Sequence, residues 1–119
     1  MIHIRLILAG AAAVALVAAA PLGAAPEATK LTGTVGPGFT ITLTKAGKKV
    51  TNLKPGKYTV AIRDKSDFHN FHLTGPGVNK KTTVAAVVNT TWTLTLKKGT
   101  YRFVCDPHKS QMKGSFKVA

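Results

Sequence analysis

From Lys30 to the C-terminus, apolar side chains recur at every second position in short runs, and the places between them are filled mostly by threonine. Phe39, Ile41 and Leu43 alternate with Thr40, Thr42 and Thr44; Tyr58, Val60 and Ile62 with Thr59, Ala61 and Arg63; Trp92, Leu94 and Leu96 with Thr91, Thr93 and Thr95. Tyr101, Phe103 and Cys105 likewise share a face opposite Arg102 and Val104. Successive side chains of a strand point to opposite faces, so each run makes a ribbon with one dry side. No run holds the 3.6-residue period of a helix long enough to suggest one. Turn residues punctuate the runs at Lys45 to Lys49, Lys54-Pro55-Gly56, Gly75-Pro76-Gly77 and Lys97-Lys98-Gly99. Short strands at this spacing predict an all-β chain folded as a Greek-key β-sandwich or barrel. Phe39, Trp92, Phe103 and Phe116 are expected to fill its core.

The 119 residues begin differently. Arg5 supplies an early positive charge, Leu6 to Ala20 is an unbroken apolar run, and Pro21 with small residues follows to Ala25. That pattern is a secretory signal peptide, expected over residues 1–25 and cleaved between Ala20 and Ala28. The run falls short of the roughly 20 apolar residues a spanning helix needs, so no membrane span is expected after cleavage. A Pro/Ala/Thr linker over residues 26–30 and one folding domain over residues 31–119 complete the organisation.

Export bears on the one cysteine, Cys105. It cannot form an intrachain disulfide, and a free thiol in an oxidising compartment is a liability unless a metal occupies it. The formal net charge is +13, with acids only at Glu27, Asp64, Asp67 and Asp106. Nucleic acid does not suit this charge, because export removes that partner and the lysines are scattered instead of forming one stripe. An acidic protein or an anionic surface suits it better.

Chemistry concentrates near the C-terminus, where Cys105, His108 and Met112 fall within eight residues between two strands. Soft thiolate and thioether donors favour copper, and a His₂Cys set with a weak axial Met is the blue-copper arrangement. Zinc fits less well, since structural zinc takes four strong donors and Met is a poor one. A nucleophilic Cys105–His108 pair lacks a group to orient the histidine. The second imidazole must come from Ser66-Asp-Phe-His69-Asn70-Phe71-His72-Leu73. Period two places His69 inward with Phe71 and Leu73, and His72 outward with Asn70 and Phe68, so His69 is the expected ligand. His72 stays open as an accessory group.

With the upstream His69-Asn70 dipeptide and the downstream Cys105-Asp-Pro107-His108 loop ending in Met112, the chain resembles the cupredoxins, or blue (type 1) copper proteins, of the plastocyanin, amicyanin and pseudoazurin group. The resemblance runs from about Lys30 to Ala119 and implies that one type 1 copper per chain is held by His69, Cys105, His108 and Met112. It also implies that the Asn70 amide N–H donates to the Cys105 sulfur while the Asn70 side chain ties the two loops near Asp106. Pro107 has no N–H to offer the same sulfur. His108 should lie near the surface, rimmed by Pro107 and Gly75-Pro76-Gly77, with Lys80, Lys81, Lys109 and Lys113 steering an acidic redox partner.

The function these features predict is that of an exported, monomeric carrier of single electrons through a Cu(I)/Cu(II) couple, with no catalysis of its own. Extracytoplasmic copper storage, delivery or tolerance is the alternative. Copper oxidases and nitrite reductases need additional His-rich sites that four histidines cannot supply.

Overall fold

The computed structural model describes residues 10, 13 and 27–119. The expected signal peptide thus lies outside the described residues apart from Gly10 and Ala13. Among the described residues no helix is long and apolar enough to cross a membrane.

Ten strands follow in order: β1 (Thr29–Val35), β2 (Ile41–Lys45), β3 (Lys48–Lys49), β4 (Asn52–Leu53), β5 (Gly56–Asp64), β6 (His72–Gly75), β7 (Val78–Lys81), β8 (Val88–Leu96), β9 (Gly99–Val104) and β10 (Lys113–Val118). They form two five-stranded sheets, β3-β2-β1-β5-β8 and β4-β10-β9-β6-β7. The expectation of an all-β sandwich holds. Strand β1 already begins at Thr29, so the last two residues assigned to the linker belong to the first sheet. The sole helical turn among the described residues is the short 3-10 segment Asp106–His108.

The alternation in the sequence becomes the core. Tyr58, Val60 and Ile62 of β5 are buried, as are Trp92 and Leu96 of β8 and Tyr101 and Phe103 of β9. Phe116 joins them, and Phe71 stacks on Phe103 at 5.5 Å between ring centroids. Phe39 departs from the expectation of a core residue: it is 57% exposed. Gly36-Pro37-Gly38 precedes it, the Gly36 N–H donates to the Thr40 carbonyl at 2.9 Å, and β2 starts only at Ile41. The residue therefore sits on a loop, where the period-two rule no longer fixes its side. At the next turn, Ala46 and Gly47 both adopt positive φ, 49° and 77°. This is the left-handed pair that a two-residue hairpin between β2 and β3 requires, and it suits glycine better than alanine.

Strands β1, β5, β6 and β9 define two ends. One end holds the last residues of β1, β5 and β9 and the first of β6, since Val35 pairs with Asp64 and His72 with Val104. The other holds the start of β5 opposite Leu96 and the start of β9 opposite Val118. Gly75-Pro76-Gly77 belongs to this second end: the Tyr101 hydroxyl, which donates to the Lys97 carbonyl at 2.9 Å, lies 3.3 Å from the Pro76 carbonyl. A Cβ on Gly75 would overlap the Tyr101 ring. Gly75→Ala should therefore destabilise by about 1–3 kcal/mol, lowering Tm by roughly 4–8 °C per kcal/mol, while Gly38→Ala, facing open space, stays within about 0.5 kcal/mol. Thermal unfolding of both variants checks this, and equal Tm values would refute it.

Candidate metal centre

At the first end, β9 stops at Val104 and Cys105 keeps the inward register of Tyr101 and Phe103, fully buried. The chain then turns through Asp106–His108 and returns into β10. Four backbone hydrogen bonds make the loop rigid: Cys105 N–H to the Met112 carbonyl (3.0 Å), His108 N–H to the Cys105 carbonyl (3.0 Å), and both Gln111 N–H (3.0 Å) and Met112 N–H (2.8 Å) to the His108 carbonyl. This closes the loop with Met112 buried beside Cys105.

His69 reaches the same place from the segment between β5 and β6, and it is fully buried. Its Nδ1 lies 3.1 Å from His108 Nδ1 and 3.6 Å from Cys105 Sγ, while His108 Nδ1 and Cys105 Sγ are 3.5 Å apart. Three potential donor atoms thus form a nearly equilateral triangle. The point equidistant from them lies about 2 Å from each, the length of a bond from an imidazole nitrogen to a first-row metal ion. The triangle fits a metal, and the donors fit copper. His69, Cys105 and His108 are arranged as a type 1 copper site, with Met112 nearby. His69 Nε2 is buried and has no hydrogen-bond partner, so only its Nδ1 side is engaged.

The segment carrying His69 is pinned from below. Asp64 continues the inward register of β5 and is buried; its carboxylate accepts from the Ser66 N–H (3.2 Å) and the Thr82 hydroxyl (3.1 Å). Burial pushes its pKa up, and those two hydrogen bonds and the nearby His69 only partly offset the rise. Thr82 in turn accepts from the Phe71 N–H at 2.9 Å. Asn70 is buried as well, although alternation from His69 assigned it to the outer face. Residues 69–71 lie outside any strand, β6 beginning only at His72, and the alternation does not apply to them.

Asn70 joins the two loops as the resemblance implied. Its Nδ2 donates to Asp106 Oδ2 at 2.7 Å and to the Thr82 carbonyl at 3.2 Å, and its Oδ1 accepts from the Asp106 N–H at 2.7 Å. Cys105 Sγ contacts the two imidazoles, and among the described residues no hydrogen bond from the Asn70 amide to it is found. His72, expected to face solvent, is half-buried and hydrogen-bonded at both nitrogens, Nδ1 with Asp106 Oδ1 (2.8 Å) and Nε2 with Asn79 Oδ1 (2.7 Å). It is not part of the donor triangle. Burial alone would raise the Asp106 pKa, but the hydrogen bonds of His72 and Asn70 and the charges of His72 and Lys109 hold it below the usual carboxylate range.

The rim of the site keeps exposed Pro107 beside His108 but differs otherwise from the expected one. Gly75-Pro76-Gly77 lies at the far end of the sandwich, and the rim is aromatic instead. Phe39 packs edge-on against His108 at 5.0 Å and His69 at 5.2 Å, and Phe68 lies 4.3 Å from the His69 ring. Both phenylalanines are about half exposed. The sequence signals were Gly36-Pro37-Gly38 ahead of Phe39, which marks a loop, and the adjacency of Phe68 to His69.

Fold and site together define a blue copper protein, a cupredoxin. A model of the copper-binding plastocyanin/azurin family matches residues 34–119, and the chain belongs to that family. No curated protein sequence matches it. Among solved structures it is similar to rusticyanin from Thiobacillus ferrooxidans, with 24% identity and TM-score 0.55 over 80% of this chain and 79% of that one. It is also similar to auracyanin from Roseiflexus castenholzii, with 22% identity and TM-score 0.54 over 77% and 98%. Auracyanin A of Chloroflexus aurantiacus, a "blue" copper protein, gives 15% and 0.53 over 76% and 98%. These likenesses speak to the fold. Proteins of this family are usually extracytoplasmic or membrane-associated and typically carry electrons.

Proposed function

We propose that this chain is an exported, monomeric electron carrier in which His69, Cys105, His108 and Met112 hold one copper ion. The observation that carries the reading is the convergence of His69 Nδ1, Cys105 Sγ and His108 Nδ1 within 4.8 Å of one another, His69 and Cys105 buried and His108 partly so. Copper bound there supplies a one-electron couple between Cu(I) and Cu(II). The protein's part is to keep the donors where they are: His69 over the Asp64–Thr82 network, the other three in a loop closed by backbone hydrogen bonds. A scaffold that holds one geometry for both oxidation states has little to rearrange when an electron passes. His108 is only partly buried, and the Phe39 and Phe68 collar offers an apolar contact for a redox partner over its edge. Lys81 pairs with His72 and Lys113 with Val104; with Lys80 and Lys109 they lie at this end and would steer an acidic redox protein. Residues 1–25, read as a signal peptide, would deliver the domain outside the cytoplasm.

The test is a reversible one-electron wave in voltammetry of the copper-loaded protein, together with two variants. His69→Ala should bleach the visible band, and His72→Ala, whose ring touches Asp106 and no donor atom, should leave it in place. Rapid loss of Cu(I) on reduction would favour copper delivery over electron carriage. Bleaching by His72→Ala alone would overturn the ligand assignment.

A further inference from the structure

The positive charge of this domain is unevenly placed. Asp64, Asp67 and Asp106, three of the chain's four acidic residues, lie at the ligand end, where they offset basic groups such as Arg63, Lys65, Lys80 and Lys81. At the opposite end no aspartate offsets the lysines. Turns there carry Lys45 and Lys48 between β2 and β3, Lys54 and Lys57 around the β4–β5 turn, and Lys97 and Lys98 between β8 and β9. All six are exposed. Lys45, Lys54 and Lys57 line a shallow cleft floored by Leu53, Pro55 and Tyr58, and among the described residues the only carboxylates lining it belong to Glu27 and the terminal Ala119. Steering a partner to His108 does not explain this cluster, because it lies at the far end of the sandwich.

The chain also enters the fold at this basic end. Strand β1 begins at Thr29 opposite Tyr58, so its first residue lies at this end. We propose that this lysine-rich pole docks on an anionic lipid bilayer, holding the protein at a membrane surface with the donor triangle turned away from the lipid. Lysines at loop tips reach phosphate headgroups without ordering the backbone, and each gains about fivefold in affinity at an anionic surface. A membrane suits the pole better than a compact acidic protein, since the charges come from three separate turns spread across one end. Such docking leaves the His108 edge free for a soluble redox partner. The proposal concerns the lysine pole alone and does not depend on the metal.

Co-sedimentation of the full chain with phosphatidylcholine vesicles, with and without phosphatidylglycerol, tests it. Binding should require phosphatidylglycerol and weaken as salt rises. Lys54→Gln/Lys57→Gln/Lys97→Gln/Lys98→Gln should weaken it by about two to three orders of magnitude, whereas the matched Arg63→Gln/Lys65→Gln/Lys80→Gln/Lys81→Gln should change it by less than about tenfold. Hydrogen exchange on the vesicle-bound protein should slow around Ala46-Gly47 and Lys97-Lys98 and stay unchanged from Asp106 to Gln111. Equal losses in the two quadruple variants, equal binding to phosphatidylcholine alone (which would assign it to the apolar N-terminal run), or no binding of the wild type would each overturn the proposal.

Discussion

Cys105→Ser should abolish the intense visible absorption of the copper-loaded protein. The band of a blue copper site is a charge transfer from a thiolate to Cu(II), and Cys105 is the only cysteine in the chain. Serine is nearly isosteric, so the buried pocket and the loop bonds from Cys105 N–H to the Met112 carbonyl and from His108 N–H to the Cys105 carbonyl can persist. A serine hydroxyl does not ionise near neutral pH and is a hard donor, so the soft, electron-rich corner of the triangle is lost. The variant should fold, with a Tm within a few degrees of the wild type, and be colourless. A colourless copper-loaded wild type, or a variant that keeps the band, would refute the type 1 assignment.

Much of this site was legible in the sequence because its parts sit on regular structure. Cys105 extends the inward register of Tyr101 and Phe103, and period two alone predicts that it is buried. The same register, followed one step past Ile62, reaches Asp64, whose buried carboxylate supports the His69 segment; the alternation pointed to it, but an aspartate draws no notice among candidates for an apolar core. His69 was reached by a rule that does not hold there. Residues 69–71 are not in a strand, and Asn70 and Phe71 are both buried because hydrogen bonds to Asp106 and Thr82 draw the segment inward. The resemblance to the cupredoxins, resting on the dipeptide and the loop together, was the stronger guide.

The rim was not legible, for a reason of topology. Phe39 and Gly75-Pro76-Gly77 exchanged their expected places: the aromatic residue read as core covers the site, and the turn read as rim lies at the other end. Alternation tells which face of a strand a residue occupies but not which end of the sandwich a turn belongs to. That depends on how the strands pair, and the pairing of β6 with β9, His72 opposite Val104, sends the turn after β6 away from the loop after β9. The gathering of all three aspartates at the ligand end was hidden in the sequence for the same reason.

Replacing Asn70 should cost both stability and copper affinity, although it contributes no donor atom. Its side chain makes three hydrogen bonds between the His69 segment and the Cys105 loop, two of them at 2.7 Å, and it is 1% exposed. Asn70→Ala leaves the Asp106 N–H without its acceptor and both Asp106 Oδ2 and the Thr82 carbonyl without a donor. An unsatisfied buried group costs about 1–3 kcal/mol, and Asp106, partly exposed, recovers some of that from water. The sum is about 3 kcal/mol, or roughly 12–24 °C in Tm for a domain of this size. Asn70→Asp keeps an acceptor for the Asp106 N–H but sets a second carboxylate against Asp106, so at neutral pH it should be no more stable than the alanine variant. Because the clamp sets the spacing between His69 and the loop, copper affinity should fall about 10–100-fold as well, as for other groups that orient metal ligands. Thermal unfolding of the copper-free variants and competition with a copper chelator separate the two effects. A Tm loss under 2 °C with unchanged affinity would show that the backbone bonds of the loop suffice and that Asn70 only fills space.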